Sequence, residues 1–419
     1  MLIFYRAMPT SHREAFPPVI RADVGIGPYA YEVFSMKKTI FRVLSYVLVA
    51  VVSAVTVLAL CLLFQKQDKL DELEALIDRY FIEEADKDKL QDAAASAMID
   101  ALDDEWSYYM TAEQYKEYQE LMSNSYVGVG ITIQVREDNQ GFDIVEVVPG
   151  GPAEEAGIKA GDVLIAADGQ SLKGITIDDT RPLIRGEEGT AVKLMVLRDG
   201  GELPFTVTRR QFETPVATYQ MLEDNIGLVT IENFDQRCAQ ETIAAIEALR
   251  EQGATSLIFD VRNNPGGYKD ELVKVLDYLL PEGDLFRSVD YRGREEVDTS
   301  DAAHLDMPMA VLMNLQSYSA AEFFAAALSE YEAAVTVGEK TYGKGYFQTA
   351  IPLSDGSAVN LSIGKYYTPK GESLVGKGLM PDVEVMVDEE TAAKIYAGTL
   401  TPEEDPQILA AINALKNGK

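Results

Sequence analysis

The spacing of apolar and polar positions changes along the chain, and each change predicts a different kind of element. Val43 to Phe64 reads VLSYVLVAVVSAVTVLALCLLF, without a charge, and at about 1.5 Å per residue it is long enough to cross a hydrocarbon core of about 30 Å. Residues 1–35, before it, show no helical or strand period and are interrupted by prolines. After it, Leu70, Leu73, Leu76, Ile77 and Tyr80 recur at spacings of three and four, and a second apolar set begins at Leu90. Residues 68–122 are therefore expected to form amphipathic helices that serve packing or self-association, with no chemistry of their own. Leu102-Asp103-Asp104 and the aromatic cluster Trp106, Tyr108, Tyr109 are expected to end that segment.

From Ser125 to about Arg210 the pattern becomes short alternating strands punctuated by glycine. Tyr126 to Ile133 reads as a glycine-bearing loop opening into a strand, and Ile144 to Val148 as a further strand. Pro149-Gly150-Gly151-Pro152-Ala153 starts a short helix ending at Gly157, and Gly161 to Gly169 is a strand followed by a turn. Ile177–Ile184 is helical, while Ala191–Arg198 and Leu203–Arg209 read as a hairpin. From Phe212 onward strands and helices interleave, which predicts a mixed α/β core. Its strands are Ile226–Ile231, Ser256–Val261, Met309–Asn314, Ala333–Val337, Tyr346–Ile351 and Ala358–Tyr367. Its helices are Ala239–Gln252, Asp270–Leu280 and Ala320–Tyr331. At roughly 100–200 residues per unit, 419 residues allow two to four folding units. The expected divisions are an extension 1–35, a start and anchor 36–67, a helical segment 68–122, a strand-rich unit 125–210, an α/β core 211–400 and a helical tail 401–419.

Charge narrows the partners. The chain carries 37 basic and 68 acidic side chains, a net charge of −31. Such a surface repels phosphate backbones, so nucleic acid is excluded as an expected partner. Cys61 and Cys238 are the only cysteines and His12 and His304 the only histidines, which leaves no disulfide framework, Cys-rich zinc site or His-based metal site. No metal or cofactor is expected. A serine hydrolase of the Ser-His type would have to use His304, which sits in the polar stretch Asp301–Asp306 and reads as an exposed loop residue.

Lys37, Lys38 and Arg42 flank the apolar run on its N-terminal side, placing that side in the cytoplasm and the rest of the chain outside it. Leu62-Leu63-Phe64 offers no small-x-small cleavage site, and Leu58-Ala59-Leu60-Cys61 has a large residue where a lipid-attachment box needs a small one. A single-span anchor fits best. Met36-Lys37-Lys38 is itself a well-formed start of an exported protein, so residues 1–35 are expected to be a mis-called extension.

Three stretches of the α/β core can carry chemistry. Asp260 to Gly267 (DVRNNPGG) is a glycine loop after an apolar strand, either a tight turn or a set of N–H groups aimed at an anion. Ser317-Tyr318-Ser319-Ala320-Ala321-Glu322 contains the S-x-x-E capping box, yet a serine there also stands beside free N–H groups and the positive end of a helix dipole. Gly343-Lys344-Gly345-Tyr346-Phe347-Gln348 fixes a lysine between glycines, either in a polar hairpin or on a strand with Lys344, Tyr346 and Gln348 on one face. Desolvation can lower a lysine by up to roughly 3–5 units, enough for it to act as a base near neutrality.

Residues 125–210, with GGPAEEAGIKAGDVLIAADG in the middle, resemble a PDZ domain, a β-sandwich or barrel with two helices. That resemblance implies capture of an apolar peptide C-terminus by strand addition, with the loop Val127, Gly128, Val129, Gly130 and Ile131 taking the carboxylate. FDVRNNPGG, MNLQSYSAAE, GEKTYGKGYFQ and YYTPKGESLVGKGLMPDVEV, in that order, make the core resemble the carboxyl-terminal processing (tail-specific) serine peptidases, of the Clp-protease/crotonase-like mixed α/β fold. LDDEWSYYMTAEQY and the PDZ-like unit also match that layout, so the likeness runs from about Leu70 to the C-terminus. It implies Ser319 as nucleophile, Lys344 as general base and Gln348 as its support, with the N–H groups of Ala320, Gly266 and Gly267 as oxyanion donors. Tyr318 and Ala321 stand where the family commonly has alanine and serine. The whole is expected to be a multidomain α/β, membrane-anchored endopeptidase facing outside the cytoplasm, acting on proteins or peptides with apolar C-termini, with a homodimer or larger homo-oligomer as a further expectation. The alternative from another class is a catalytically silent PDZ scaffold at the membrane.

Overall fold

The computed structural model describes residues 28–64, 68–136 and 138–418, with the side chains of 28–39 and 59–64 outside the description. The expected extension therefore lies mostly outside the described residues, as does His12. Two compact units divide the chain after Lys87. In the first, α1 runs from Pro28 to Phe64, so the helix begins earlier than the apolar run. Pro28, which set residues 1–35 apart as non-periodic, is its first residue, a position where the missing N–H is not needed. Ile40–Leu58 of α1 has a mean hydropathy of 2.2, long and apolar enough by length and composition to cross a membrane. Helix α2 (Lys69–Tyr80) follows, and its Leu73 and Leu76 are exposed.

The second unit begins one residue into α3 (Lys87–Asp100), which is followed by β1 (Tyr108–Met110) and α4 (Ala112–Ser123). The expectation that Leu102–Tyr109 merely ends a helical segment is corrected here, because β1 pairs with a strand near the C-terminus of the core. The strand-rich part comprises β2 (Ser125–Gly128), β3 (Ile131–Val135), β4 (Phe142–Val147), α5 (Pro152–Ala156), β5 (Val163–Ala167), β6 (Gln170–Ser171), α6 (Ile177–Ile184), β7 (Ala191–Arg198), β8 (Gly201–Thr208) and β9 (Arg210–Glu213). One sheet runs β3-β4-β5-β7-β8 with β6 on β5, and β2 pairs separately with β9. Alternation along these strands buries Phe142, Ile144, Leu164, Val192, Leu194, Val196 and Val207 against α5 and α6.

The core adds β10 (Ala217–Met221), β11 (Ile226–Ile231), α7 (Cys238–Glu251), β12 (Ser256–Asp260), α8 (Lys269–Leu279), β13 (Gly283–Asp290), β14 (Glu295–Ser300), β15 (Met309–Met313), α9 (Ala320–Glu330), β16 (Ala334–Gly338), β17 (Tyr346–Pro352), β18 (Ala358–Tyr367), β19 (Val383–Glu384), α10 (Glu389–Tyr396) and α11 (Pro406–Lys416). Its main sheet has the order β10-β11-β12-β15-β16-β19, parallel except for β10. The side chains of β12 and β15 split by period two. Leu257, Phe259, Met309, Val311 and Met313 face α7–α9, while Ile258, Ala310 and Leu312 face Ile408 and Ala411 of α11. A second sheet, β1-β18-β13-β14 with β17 also on β18, carries β1 at its edge.

Candidate active site

The loops that follow β11, β12, β15 and β16 emerge at the carboxyl edge of the parallel sheet, where ligands of open α/β sheets are bound. Two of them are locked together by amides. The Asn263 N–H donates to Asn314 Oδ1 at 2.9 Å, and Asn314 Nδ2 donates back to Asn263 Oδ1 at 2.9 Å. Ser317 Oγ donates to the Val261 carbonyl at 2.7 Å, and the wholly buried Asn264 donates to the Ile231 carbonyl at 2.7 Å. The sequence marked the stretches that hold Asn263, Asn264 and Ser317 but not this role, since nothing in their pattern separates a loop-locking side chain from an ordinary turn residue.

The locking brings the glycine loop onto Ser319. A Cβ on Gly266 would stand 2.6 Å from the Ser319 Cβ and 2.9 Å from the Ala320 nitrogen, so only glycine fits. Gly266 was expected to offer its N–H to an oxyanion; instead that N–H donates to Asn264 Oδ1 at 2.8 Å. The N–H groups of Gly267 and Ala320 have no acceptor among the described residues.

Ser319 adopts φ 57°, ψ −126° immediately before α9, a conformation that costs a non-glycine residue roughly 1–3 kcal/mol. Its N–H donates to Glu322 Oε2 at 3.1 Å, the reciprocal half of the capping box. Its Oγ accepts from the Tyr366 hydroxyl at 3.0 Å. Glu322, 0 % exposed, gathers three further donors from the loop before β17: Thr341 Oγ1 and Gly343 N at 2.6 Å each, and Lys344 N at 2.9 Å. Burial pushes the Glu322 carboxyl up, and these hydrogen bonds pull it back.

Lys344 was expected either in a polar hairpin or on a strand face with Tyr346 and Gln348. It precedes β17, and a register shift between Phe347 and Gln348 breaks the alternation. As a result Lys344, Phe347 and Gln348 line the same cleft. The Lys344 Nζ lies 4.2 Å from the Trp106 ring centre and 5.9 Å from that of Tyr318. Burial lowers its pKa to about 8, against the opposing charges of Glu322, Asp104 and Glu105. Trp106 belongs to the segment from which no chemistry was expected. Gln348 Nε2 donates to the Tyr346 carbonyl at 3.0 Å and to Ser362 Oγ at 3.1 Å rather than to the lysine amine.

These groups border a cleft of about 1010 Å³. His304 is exposed and lines a separate, smaller hollow with Glu247 and Tyr278. In the strand-rich part, the expected peptide loop is shorter than Val127–Ile131. Val127 and Gly128 pair with Gln211 and Arg210, Ile131 pairs with Val147, and only Val129 and Gly130 turn the chain.

A strained serine at a helix start, an amine of depressed pKa in the same cleft and two unoccupied N–H groups, on a mixed α/β core preceded by a small β-rich unit, define the class of a serine hydrolase acting on acyl groups. The comparisons narrow it. A family model described as Peptidase family S41 matches residues 225–385, and one described as PDZ domain matches residues 144–198. The chain is 37% identical to the carboxy-terminal processing protease CtpA of Bacillus subtilis (strain 168) over 76% of its own length and 69% of that protein. It is 32% identical to a probable CtpA-like serine protease of Staphylococcus aureus (strain COL), over 80% of this chain and 68% of that one. Among solved structures, a putative S41 protease from Bacteroides fragilis shares the fold at a TM-score of 0.56 and 20% identity, covering 81% of this chain and 94% of that one. The chain belongs to the S41 family of carboxy-terminal processing serine proteases, with a PDZ domain.

Proposed function

We propose that the protein is a membrane-anchored endopeptidase in which Ser319 is the nucleophile and Lys344 its general base. Ser319 Oγ attacks the scissile carbonyl carbon while Lys344 Nζ takes its proton. The N–H groups of Gly267 and Ala320 hold the oxyanion. The leaving amine departs with the proton given back by Lys344; Lys344 Nζ then takes a proton from water as its oxygen attacks the acyl-enzyme ester, and returns it to Ser319 Oγ as the acid product leaves. The observation that carries this reading is the lysine amine, lowered to about 8 by burial, lining the same cleft as the strained serine. No hydrogen bond joins Ser319 Oγ to Lys344 Nζ among the described residues, so substrate binding has to draw the amine off Trp106. Catalytic hydrogen bonds commonly tighten only in the complex.

The PDZ domain receives a substrate C-terminus on β3. Strand β3 stands at the edge of its sheet, with Ile131 and Ile133 packed beside the apolar core, so its outer side suits strand addition and apolar end residues. Helix α1 anchors the chain, with Lys37, Lys38 and Arg42 on the cytoplasmic side and the catalytic part outside. Cleavage of an unfolded reporter by the full-length chain in detergent, compared with Ser319→Ala and Lys344→Ala, tests the dyad. Activity retained by Lys344→Ala would refute the base assignment, and a wild type as silent as both variants would favour a scaffold.

A further inference from the structure

The cleft wall holds a buried carboxyl that the proposed mechanism does not use. Asp235 is 6% exposed and lines the cleft, and its Oδ1 has no hydrogen-bond partner among the described residues. An unmet buried acceptor costs roughly 1–3 kcal/mol, so its retention asks for a reason. Its position is fixed by the glycine loop. The Phe234 N–H donates to the Gly266 carbonyl at 2.7 Å, and the Tyr268 N–H donates to the Phe234 carbonyl at 2.8 Å. A Cβ on Gly267 would stand 2.6 Å from Asp235 Oδ1. The carboxyl thus lies against Gly267, the residue next in the chain to the glycine packed on Ser319.

Lys344 on the same cleft is the proposed base, and the other cations nearby are held in ion pairs. Lys269 pairs with Asp298 at 3.1 Å and Glu296 at 3.4 Å. Arg294 pairs with Asp290 at 2.6 Å, and Arg237 with Glu213 at 2.8 Å and Glu241 at 3.0 Å through its Nη1, while its buried Nε has no partner among the described residues. Glu232 and Asp270, also on the cleft wall, have no ion pair among the described residues. The wall is therefore short of positive charge. Tyr118 and Tyr268 line it too, and burial, with the Asp235 charge added, raises both phenols. An acid beside aromatic rings suits a side chain with an alkyl stem and a cationic head. With no counter-charge, burial pushes Asp235 itself up to about 7, and an incoming cation would favour its ionised form.

We propose that Asp235 selects a lysine or arginine side chain on the substrate residue that crosses Gly267, the basic group pairing with the carboxyl. This rests on the peptidase reading of the cleft. The test maps cut sites in an unfolded reporter by mass spectrometry with the full-length chain in detergent, then compares matched peptides bearing Lys or Gln at the enriched position. The expected kcat/KM ratio is about tenfold in favour of Lys for the wild type, near one for Asp235→Asn, and turned toward Gln for Asp235→Lys. A wild-type ratio near one, or an unchanged ratio in Asp235→Asn, overturns the proposal. Asp235→Ser replaces the Asn variant if the latter fails to fold by thermal melting. Calorimetric binding of the same peptides to Ser319→Ala and to Ser319→Ala/Asp235→Asn reads the selectivity without turnover. Selective binding by a wild type that never hydrolyses would sink the peptidase reading while supporting the assignment of Asp235; unselective binding would sink the assignment itself.

Discussion

The hydroxyl of Tyr366 donates to Ser319 Oγ at 3.0 Å from a ring fixed on three sides. Its centre lies 4.4 Å from that of Phe323, 5.5 Å from Phe286 and 6.3 Å from Phe347. Burial holds the phenol far above its ordinary range, so it is a neutral donor throughout the working pH. A donor there fixes where the serine oxygen sits and offsets charge building on it as its proton leaves. Tyr366→Phe keeps the packing and removes that donor. We expect kcat to fall about tenfold with KM nearly unmoved, and stability to change by no more than about 1 kcal/mol. Steady-state kinetics alongside thermal melting checks this, and an unaltered kcat would remove Tyr366 from the working site.

Glu322 joins the two proposed catalytic residues through their main chains, accepting from Ser319 N at 3.1 Å and from Lys344 N at 2.9 Å. Glu322→Gln turns an amide NH2 toward donors that need an acceptor. The expected loss is about 2–3 kcal/mol of stability. The charge of Glu322 also raises the Lys344 pKa, so the acid limb of the kcat/KM profile should move to lower pH in the variant. A merely structural role would cost stability without that displacement.

The sequence revealed different things at different depths. The unbroken apolar runs Leu257–Phe259 and Met309–Met313 were enough to place the central strands, because both faces of the sheet are buried. The hairpin β13–β14 escaped notice, since Glu295, Glu296 and Arg287 face solvent or each other and leave little apolar alternation to read. Ser319, Lys344 and Gln348 stood out only through the ordered motifs shared with the family; the capping box and the glycines alone read equally as a plain helix cap and a polar hairpin. The bulge at Phe347/Gln348 was not legible, and it is the bulge that turns both of those residues to the cleft. Trp106 was assigned to the end of a helical segment because its partner, the edge of β18, lies some 250 residues away, with Tyr108 opposite Asn360. No local pattern carries that information.

For Lys344, the cost of burying the amine can be read as pH-dependent stability. Its ordinary value of 10.5 is lowered to about 8 in the fold, chiefly by burial. Below about pH 8 the folded protein carries a desolvated ammonium that the unfolded chain solvates freely, and that penalty fades as pH rises from about 8 to 10.5. Lys344→Met should therefore be inactive yet melt higher than wild type at pH 7, with the advantage shrinking toward pH 10 and above. In the wild type, kcat/KM should climb through about pH 8 as the amine loses its proton. Thermal melts of both proteins across pH 6–10 decide it. A lower melting midpoint for the variant at pH 7 would mean that the amine contributes more through contact with Trp106 than it costs in solvation.

Arg262 ties the glycine loop to the C-terminal helix. Its side chain is 4% exposed and pairs with Asp260 at 2.5 Å and with Asp405 at 2.8 Å, and it donates to Gln407 Oε1 at 2.9 Å. Asp405 in turn caps α11, accepting from Gln407 N at 2.9 Å and Ile408 N at 3.1 Å. Arg262→Ala leaves two carboxylates facing each other in a buried site, a change that typically costs about 3–5 kcal/mol. Because Arg262 immediately precedes Asn263, whose amide pair with Asn314 positions Gly266 against Ser319, the loss should reach the chemistry as well. We expect kcat to fall even at temperatures where the variant is fully folded, although no atom of Arg262 touches the cleft. The pairing of the same variant with Asp405→Asn provides the check. If the ion pair is what matters, the double variant should recover part of the stability lost by Arg262→Ala alone, since one uncompensated charge is gone. An additive loss would instead assign the effect to packing of the arginine stem beneath α11.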